Sequence, residues 1–501
     1  MANDYVKTDT AKMTLANGNV IELLWGDLLR DVVVSGSVAE VRARGKKGTI
    51  PASALGGKSL LEFYFIDVGQ GDGILIKTPD NRHILIDGGY NRAKQPTGKN
   101  AADFVDWKFV KDYGKNLIEL DVMMTSHNDA DHYGGLWDLL DPSHTSMEEL
   151  DAGGVRVENF YHAGVGWWKN AAHTRWLGAQ KIINGLKYLT QLMGDRESVL
   201  TALNPASADR LQGEWAKFMD CLTKTVKKDG TPTPIARLSN TSGMLPGFET
   251  NSKSGGKVAV KVLGPVEYDD AGAKVLRYFK GGDDISTNGN SILLRLDYGR
   301  VRVILTGDLN KESHRALIEK YQGQLQEFEC DVAKACHHGS DDVSYKFMSM
   351  LKAAVTVISS GDAEGHDHPR PNIVGASAAT GYIQIDHNKD ELLTPLIYST
   401  ELARSLALGK PEKLSVFKGT PKAAELIDAD LDNAVVETGT INAGAIGPKK
   451  KNIQLSDKSR LVTDLIYGLV NVRTDGDKIL CATLNEGEYK WQIKKIRSRF
   501  N

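Results

Sequence analysis

A chain of 501 residues, 41% hydrophobic and 25% charged, can bury an ordinary core and has room for two or three domains. Lys+Arg 62 against Asp+Glu 64 leaves a formal net charge of -2, so no global field attracts a polyanion and any nucleic-acid affinity must come from a local patch. The four cysteines, Cys221, Cys330, Cys336 and Cys481, form no CxxC pair; this excludes a disulfide framework and a zinc knuckle and fits a reducing compartment.

The opening MANDYVKTDTAK is polar and mixed in charge, unlike a signal peptide. No apolar run approaches the ~18 residues that a membrane-spanning helix needs. The expectation is a soluble, cytoplasmic protein with no membrane partner. Residues 1–57 read as a small β module that ends at Gly56-Gly57. Within it RARGKKGTIP resembles the closing hairpin of a bacterial SH3-like barrel; a strand pair packed on the main domain is the alternative.

From residue 61 the pattern sharpens. LEFYFIDVGQGDGILIKTP reads as strand, glycine loop, strand, and RHILIDGG as a strand ending on Asp87. LIELDVMMTS is a buried strand that delivers His127 at its C-terminal end. Residues 155 to about 255 read as a helical insertion: WWKNAAHTRWLGAQKIINGLKYLTQLM and GEWAKFMDCLTKTVKK both place apolar residues at helical spacing. PTPIARLSNTSGMLPGFETNSKSGG then reads as a mobile loop. Strands resume with KVAVKVLGP, NSILLRLDYG, VRVILTGDL, DVAKACHHGS and AAVTVISSG, and KESHRALIEKYQ is a helix. Residues 401–501 form a C-terminal extension closed by a hairpin that turns at Asp475-Gly476.

The densest chemistry is SHNDADHYGG, with His127, Asp129, Asp131 and His132 in six residues. Imidazole and carboxylate suit Zn²⁺ or Mn²⁺, and a cluster without cysteine favours an open, catalytic site over a closed structural one. Alternating side chains would turn His127 and Asp129 to one ion, Asp131 and His132 to a second. Three further strand ends carry His or Asp: Asp308 in LTGDL, His337 and His338 in CHHGS, and His366, Asp367 and His368 in GHDHP. Asp67, Gln70 and Asp72 of DVGQGD would brace the ligands from behind, and Asp87 would orient a ligand histidine.

In this order, IDVGQGDGILIKTP, ILIDGG, SHNDADHYGG, NSILLRLDYG, LTGDL, KACHHGS and GHDHP resemble the metallo-β-lactamase fold, and more narrowly the hydrolase domain of the ComEC competence-protein family. The likeness runs from about 61 to 400 and resumes in the closing hairpin. It implies an α/β fold, an αββα sandwich with two divalent metal ions, Zn or Mn, along one edge. The metal ligands it implies are His127, Asp129, Asp131, His132, Asp308 as the bridge, and His337 or His338, with His338 favoured. Asp131, His338, His366 and His368 are the implied catalytic residues. One departure stands out: no histidine lies between His173 and His314, and Gly264 stands where a further ligand histidine is expected.

Two such ions about 3.5–4 Å apart would give hydroxide at neutral pH and neutralise a phosphoryl transition state. The function implied is a phosphodiesterase or nuclease working through a metal-bridged hydroxide, with DNA ahead of RNA as substrate, in bacterial defence, under a regulatory protein or an activating protease. A phosphorylcholine esterase or lactonase on the same fold is the alternative, and a scaffold without catalysis is the third reading. Lys169, Arg175, Lys181, Lys187 and Arg196 could line a backbone groove, with Trp167 and Trp168 stacking on bases.

Overall fold

The computed structural model describes residues 2–95, 100–141, 150–361, 368–400, 469–485 and 490–500, and between them the strands Ser405–Gly409, Lys413–Lys418, Glu425–Asp430, Val435–Glu437, Asn452–Gln454 and Leu461–Ile466. Residues 405–466 are a compact unit by themselves, in which these six strands pair two by two, antiparallel. All else described here belongs to the other unit.

Two large sheets stack face to face. One has nine strands; across it run Ile235–Arg237, Phe160–His162, Val122–Met124, His83–Ile86, Ile74–Lys77, Leu61–Ile66, Leu469–Thr474, Lys478–Asn485 and Lys490–Arg497. The other has six: Ala259–Gly264, Leu293–Tyr298, Val301–Leu305, Val332–Lys334, Val355–Ile358 and Leu396–Ser399. Phe63, Ile76, Ile84, Met124 and Val472 of the first meet Val260, Leu294, Val303, Val332 and Val357 of the second in one dry core. Strands such as His83–Ile86 are buried at every position because helices cover the outer faces. Leu136 and Leu139 of helix Ala130–Leu140, with Trp215, Phe218 and Leu222 of helix Gly213–Thr223, pack on the nine-stranded sheet. Leu317, Phe347 and Ile373 pack on the six-stranded one. This is the expected αββα order.

The functional edge follows from strand direction. His83–Ile86, Val122–Met124 and Phe160–His162 run parallel, as do Val301–Leu305, Val332–Lys334 and Val355–Ile358. Their C-terminal ends therefore open on loops at one edge of each sheet, where α/β layers place ligands.

The N-terminal strands Ala2–Tyr5, Thr10–Leu15, Val20–Leu24, Leu28–Ser35, Val38–Ala43 and Lys46–Pro51 make a sheet of their own with a small core around Met13, Leu23, Val41 and Ile50. The hairpin through Asp475-Gly476 pairs Leu469–Thr474 with Leu61–Ile66, extending the nine-stranded sheet.

The insertion differs from the helical expectation. Helices Arg196–Leu203 and Gly213–Thr223 form, but residues 167–193 carry the strands Trp168–Lys169, Gln180–Ile183 and Leu186–Leu189. The reason is local: Asn184 (φ 50) and Gly185 (φ 77) form a two-residue turn with Ile183 opposite Leu186, and Asn-Gly is a strong hairpin signal. The segment expected to be a mobile loop is built in as well. Ile235–Arg237 is an edge strand of the large sheet, and Leu238, Leu245 and Phe248 enter the inter-sheet core.

Candidate metal centre

His127 leaves the strand Val122–Met124 after Thr125 and Ser126, and Asp129 caps the helix Ala130–Leu140, whose first turn carries Asp131 and His132. That turn lies against two glycine loops. A Cβ on Gly71 (φ +109) would meet the Asp131 carbonyl oxygen at 1.8 Å, and one on Gly135 would meet Gly88 O at 2.0 Å. The DVGQGD and LIDGG loops thus touch the ligand loop backbone to backbone, as only glycine permits.

Three histidines are aimed the same way. His132 Nδ1 lies 3.0 Å from Asp87 Oδ2, while the other oxygen of Asp87 accepts the Ser126 N–H at 2.7 Å. His127 Nδ1 lies 3.0 Å from Ser126 Oγ and 3.4 Å from Ser291 Oγ. His338 Nδ1 faces Ser359 O and Asp72 Oδ1, each at 3.2 Å. Each Nδ1 thus has an oxygen to hold its proton, which leaves each Nε2 as a lone pair. All three Nε2 atoms, with Asp308 Oδ1, are buried without a hydrogen-bond partner.

These atoms converge on Asp308. Its Oδ2 lies 3.0 Å from His338 Nε2 and 3.3 Å from His132 Nε2. His127 Nε2 is 3.6 Å from Asp129 Oδ2, and His338 Nε2 is 3.8 Å from Asp131 Oδ2. Two ligands each ~2.1 Å from an ion at a tetrahedral angle stand ~3.4 Å apart, so the spacing suits a shared cation. His127, His132 and Asp308 form one group able to hold an ion, and Asp131, His132 and His338 another. The residues present therefore fit a divalent metal.

His337 and His338 part ways by backbone. Both occupy the left-handed region (φ 46 and 53), an uncommon conformation for residues other than glycine and one that marks functional sites. The turn buries His338 and leaves His337 at the mouth, with Nε2 3.9 Å from Asp308 Oδ2 and 3.5 Å from Asn288 Nδ2. His368 stands beside it, ring centroids 5.9 Å apart. His366 and Asp367 lie outside the described residues. Asp129, its side chain 27% exposed, marks the opening.

The electrostatics follow from this crowding. Burial opposes charge on His338, but Asp308 and Asp72 outweigh it and push its pKa up to about 10. His132 is raised in the same sense by Asp308, Asp87 and Asp131 against burial. Burial opposes the charge of Asp308 too, yet His338, His132 and His337 hold its carboxyl well below the usual range.

Sequence reading missed one element of the site. Lys334, fully buried on its strand, pairs with Asp72, lies 3.6 Å from Asp308 Oδ1 and donates to Gly307 O at 3.0 Å. A lone lysine inside the apolar strand DVAKAC was the available signal, since a charge is buried only when paired. Gln70 Nε2 donates to Asp131 Oδ2 at 3.2 Å, so the bracing expected of DVGQGD is present. The proposed stacking platform is not: Trp167 and Trp168 are buried and offer no face to a base. The basic set is dispersed too, with Lys181 paired to Asp270 at 2.6 Å and Arg196 bound to the carbonyls of Thr223 and Thr233.

No family model matches the chain. ComE operon protein 3 of Bacillus subtilis (strain 168) is 30% identical over 93 residues, 18% of this chain and 12% of that protein. Competence protein ComA of Neisseria gonorrhoeae is 32% identical over 99 residues, 20% of this chain and 14% of that protein. The match thus spans about an eighth of the length of these curated relatives. Similar solved structures include a metal-dependent hydrolase of the β-lactamase superfamily (13% identity, 68% of this chain, 96% of that chain, TM-score 0.30). Zn(2+)-bound PqqB from Methylobacterium extorquens is another (7% identity, 68% of this chain, 97% of that chain, TM-score 0.32). Among the described residues no helix is long and apolar enough to cross a membrane.

Proposed function

We infer that this chain, which has the metallo-β-lactamase fold and is similar in sequence to ComEC-type competence proteins, is a metal-dependent hydrolase of phosphodiesters, with DNA as the preferred substrate. The observation that carries the reading is the convergence of three buried imidazole Nε2 atoms and the Asp308 carboxylate beside an exposed opening. In this reading His127 and Asp129 would hold one divalent ion and Asp131, His132 and His338 a second, with Asp308 as a ligand within reach of both. Charge supports two ions. Around the cradle, among the described residues, Asp72, Asp87, Asp129, Asp131 and Asp308 face the single ammonium of Lys334, an excess of four negative charges that two divalent cations would neutralise. The absence of a further ligand histidine makes the set rich in carboxylate, which brings Mn²⁺ into contention with Zn²⁺.

Bound divalent ions supply a water acidified toward neutrality and a Lewis acid for phosphoryl oxygens. The chain's own groups do the rest. Asp87, Ser126 and Ser359 fix the ring orientations, Lys334 holds Asp72 behind His338, and His337 and His368 stand at the mouth, where they can donate to a departing or non-bridging oxygen.

The test is cleavage of plasmid, linear and single-stranded DNA and of RNA by metal-stripped protein resupplied with Mn²⁺ or Zn²⁺. Metal-dependent cleavage that Asp131→Ala abolishes is the expected result. Hydrolysis of a lactone or a phosphorylcholine ester with no attack on any phosphodiester would replace this reading with a small-ester hydrolase.

A further inference from the structure

The insertion sets one cation beside the metal loop. Trp167 is buried, and its indole N–H donates to Asn128 O at 3.0 Å, the carbonyl between His127 and Asp129. Arg175 stacks on that indole, its guanidinium carbon 3.4 Å from the ring centroid. The side chain is exposed, and among the described residues no carboxylate pairs with it. Every other basic residue of the insertion considered above, apart from Lys169, is engaged: Lys181 with Asp270, Lys187 with the Tyr278 ring, Arg196 with backbone carbonyls.

A guanidinium held flat on an indole keeps its edge donors free and pays little rotamer entropy when it forks onto a phosphate. The indole is in turn hydrogen-bonded to the ligand loop, so the cation and the metal ligands keep a fixed spacing. We propose that Arg175 is the residue that recognises a non-bridging phosphate oxygen of the substrate backbone, with Trp167 as the positioning residue that registers it against the metal loop. This rests on the phosphodiesterase reading above. It assigns the insertion to substrate recognition by charge and not by base stacking.

The closing experiment compares the full metal-loaded chain with Arg175→Ala, Arg175→Lys and Trp167→Phe. The substrates are bis-p-nitrophenyl phosphate, an anionic diester, and a neutral phosphate triester with the same leaving group. Arg175→Ala should raise KM for the diester about tenfold or more with kcat little changed, so that the diester-to-triester ratio of kcat/KM falls by the same factor. Binding to a cleavage-resistant phosphorothioate single strand should weaken, with the slope of log K against log salt smaller by about 0.7. Arg175→Lys should recover most of the salt slope and only part of the KM, since it keeps the charge and loses the planar stack. Trp167→Phe should fall between wild type and Arg175→Ala in KM. A wild-type enzyme that cleaves the diester, with unchanged KM and salt slope in Arg175→Ala, overturns the role of Arg175 alone. A wild-type enzyme that neither cleaves the diester nor binds the strand removes the phosphodiesterase reading and this proposal with it.

Discussion

Asp87→Asn should cost metal affinity although the residue touches no metal. The carboxylate does two jobs with its two oxygens: it accepts Ser126 N–H at 2.7 Å and faces His132 Nδ1 at 3.0 Å. An asparagine has one acceptor and one donor end. With its oxygen on Ser126, its NH₂ faces His132 Nδ1 and demands a lone pair there; the proton moves to Nε2, the atom needed by the metal. Flipped, the amide sets NH₂ against the Ser126 N–H, two buried donors in collision, at about 1–3 kcal/mol. Neither arrangement keeps both contacts. The backbone tolerates the change, because Asp87 sits at φ 57, a region that asparagine also visits. Second-layer losses of this kind lower metal affinity by about 10–100-fold, or roughly 1.4–2.7 kcal/mol. The assay is competition with a chromophoric chelator, read for each ion separately, with unfolding midpoints of the metal-free proteins as the control for fold. Ser126 Oγ, 3.3 Å from His132 Nδ1, is the group that could take over the proton. If it does, the Asp87→Asn loss is small and adding Ser126→Ala makes it large. Wild-type affinity in both the single and the double variant would refute the argument that the tautomer of His132 is set from behind.

Exchanging each of the paired histidines separates ligand from neighbour: His338→Ala should lower the metal bound per chain, measured by elemental analysis, whereas His337→Ala should preserve it and act on turnover. Arg473→Met should destabilise the fold by about 3 kcal/mol in urea unfolding, because it removes the guanidinium that lies 2.7 Å from Asp27 and 3.5 Å from Glu62, both buried. Acidification should act on the same cluster. Burial opposes ionisation of Glu62, but Lys77, Arg473 and Lys108 hold its pKa at about 2, below the ordinary 4.5. A carboxyl lowered in the folded state adds stability that is complete above about pH 4.5 and is lost as pH falls toward about 2, an effect of about 3 kcal/mol. In Arg473→Met the folded-state pKa of Glu62 should rise toward 4.5, so that loss should be smaller and complete at higher pH; superposable urea midpoints for the two proteins at pH 7 and at pH 3.5 would count against the network.

The parts of this protein legible in its sequence are those where several residues obey one local rule. His127, Asp129, Asp131 and His132 could be read as a cradle because they crowd a strand end, and the strands around them are long apolar runs bounded by glycine. The role of Asp87 was legible for the same reason: it ends a strand beside the ligand loop. That His338 is buried and His337 stands at the mouth was not fixed by composition; two consecutive left-handed residues set it, and that backbone path cannot be read from CHHGS. Lys334 escaped notice because its partners, Asp72 and Asp308, are remote in sequence. The insertion was misread where an apolar pattern of ambiguous period was given more weight than Asn184-Gly185, a two-residue turn that specifies a hairpin outright.

The buried charges away from the edge explain how three remote pieces of chain become one body. Arg473 comes from the C-terminal hairpin, Asp27 and Arg44 from the N-terminal sheet, Glu62 and Lys77 from the large sheet. Arg473 also donates to the Trp25 carbonyl at 2.7 Å, and Asn471 to that of Phe63 at 3.0 Å. Apolar contact alone would let the N-terminal sheet slide over its neighbour; a guanidinium shared between carboxylates on two sheets resists this, because a shift leaves the buried Arg473 with only one of them while Asp27 keeps Arg44 and Glu62 keeps Lys77. The hairpin strand Leu469–Thr474 lies against Leu61–Ile66, the strand that leads into DVGQGD, and that loop carries Asp72 and Gln70 to the metal ligands. The strand Leu61–Ile66 is thus clamped by the charge cluster at Glu62 and leads beyond Ile66 to the candidate metal cradle. Arg473 reaches that loop through its ion pair with Glu62 and the strand that runs on from Glu62 into DVGQGD, so Arg473→Met should weaken metal binding as well as the fold.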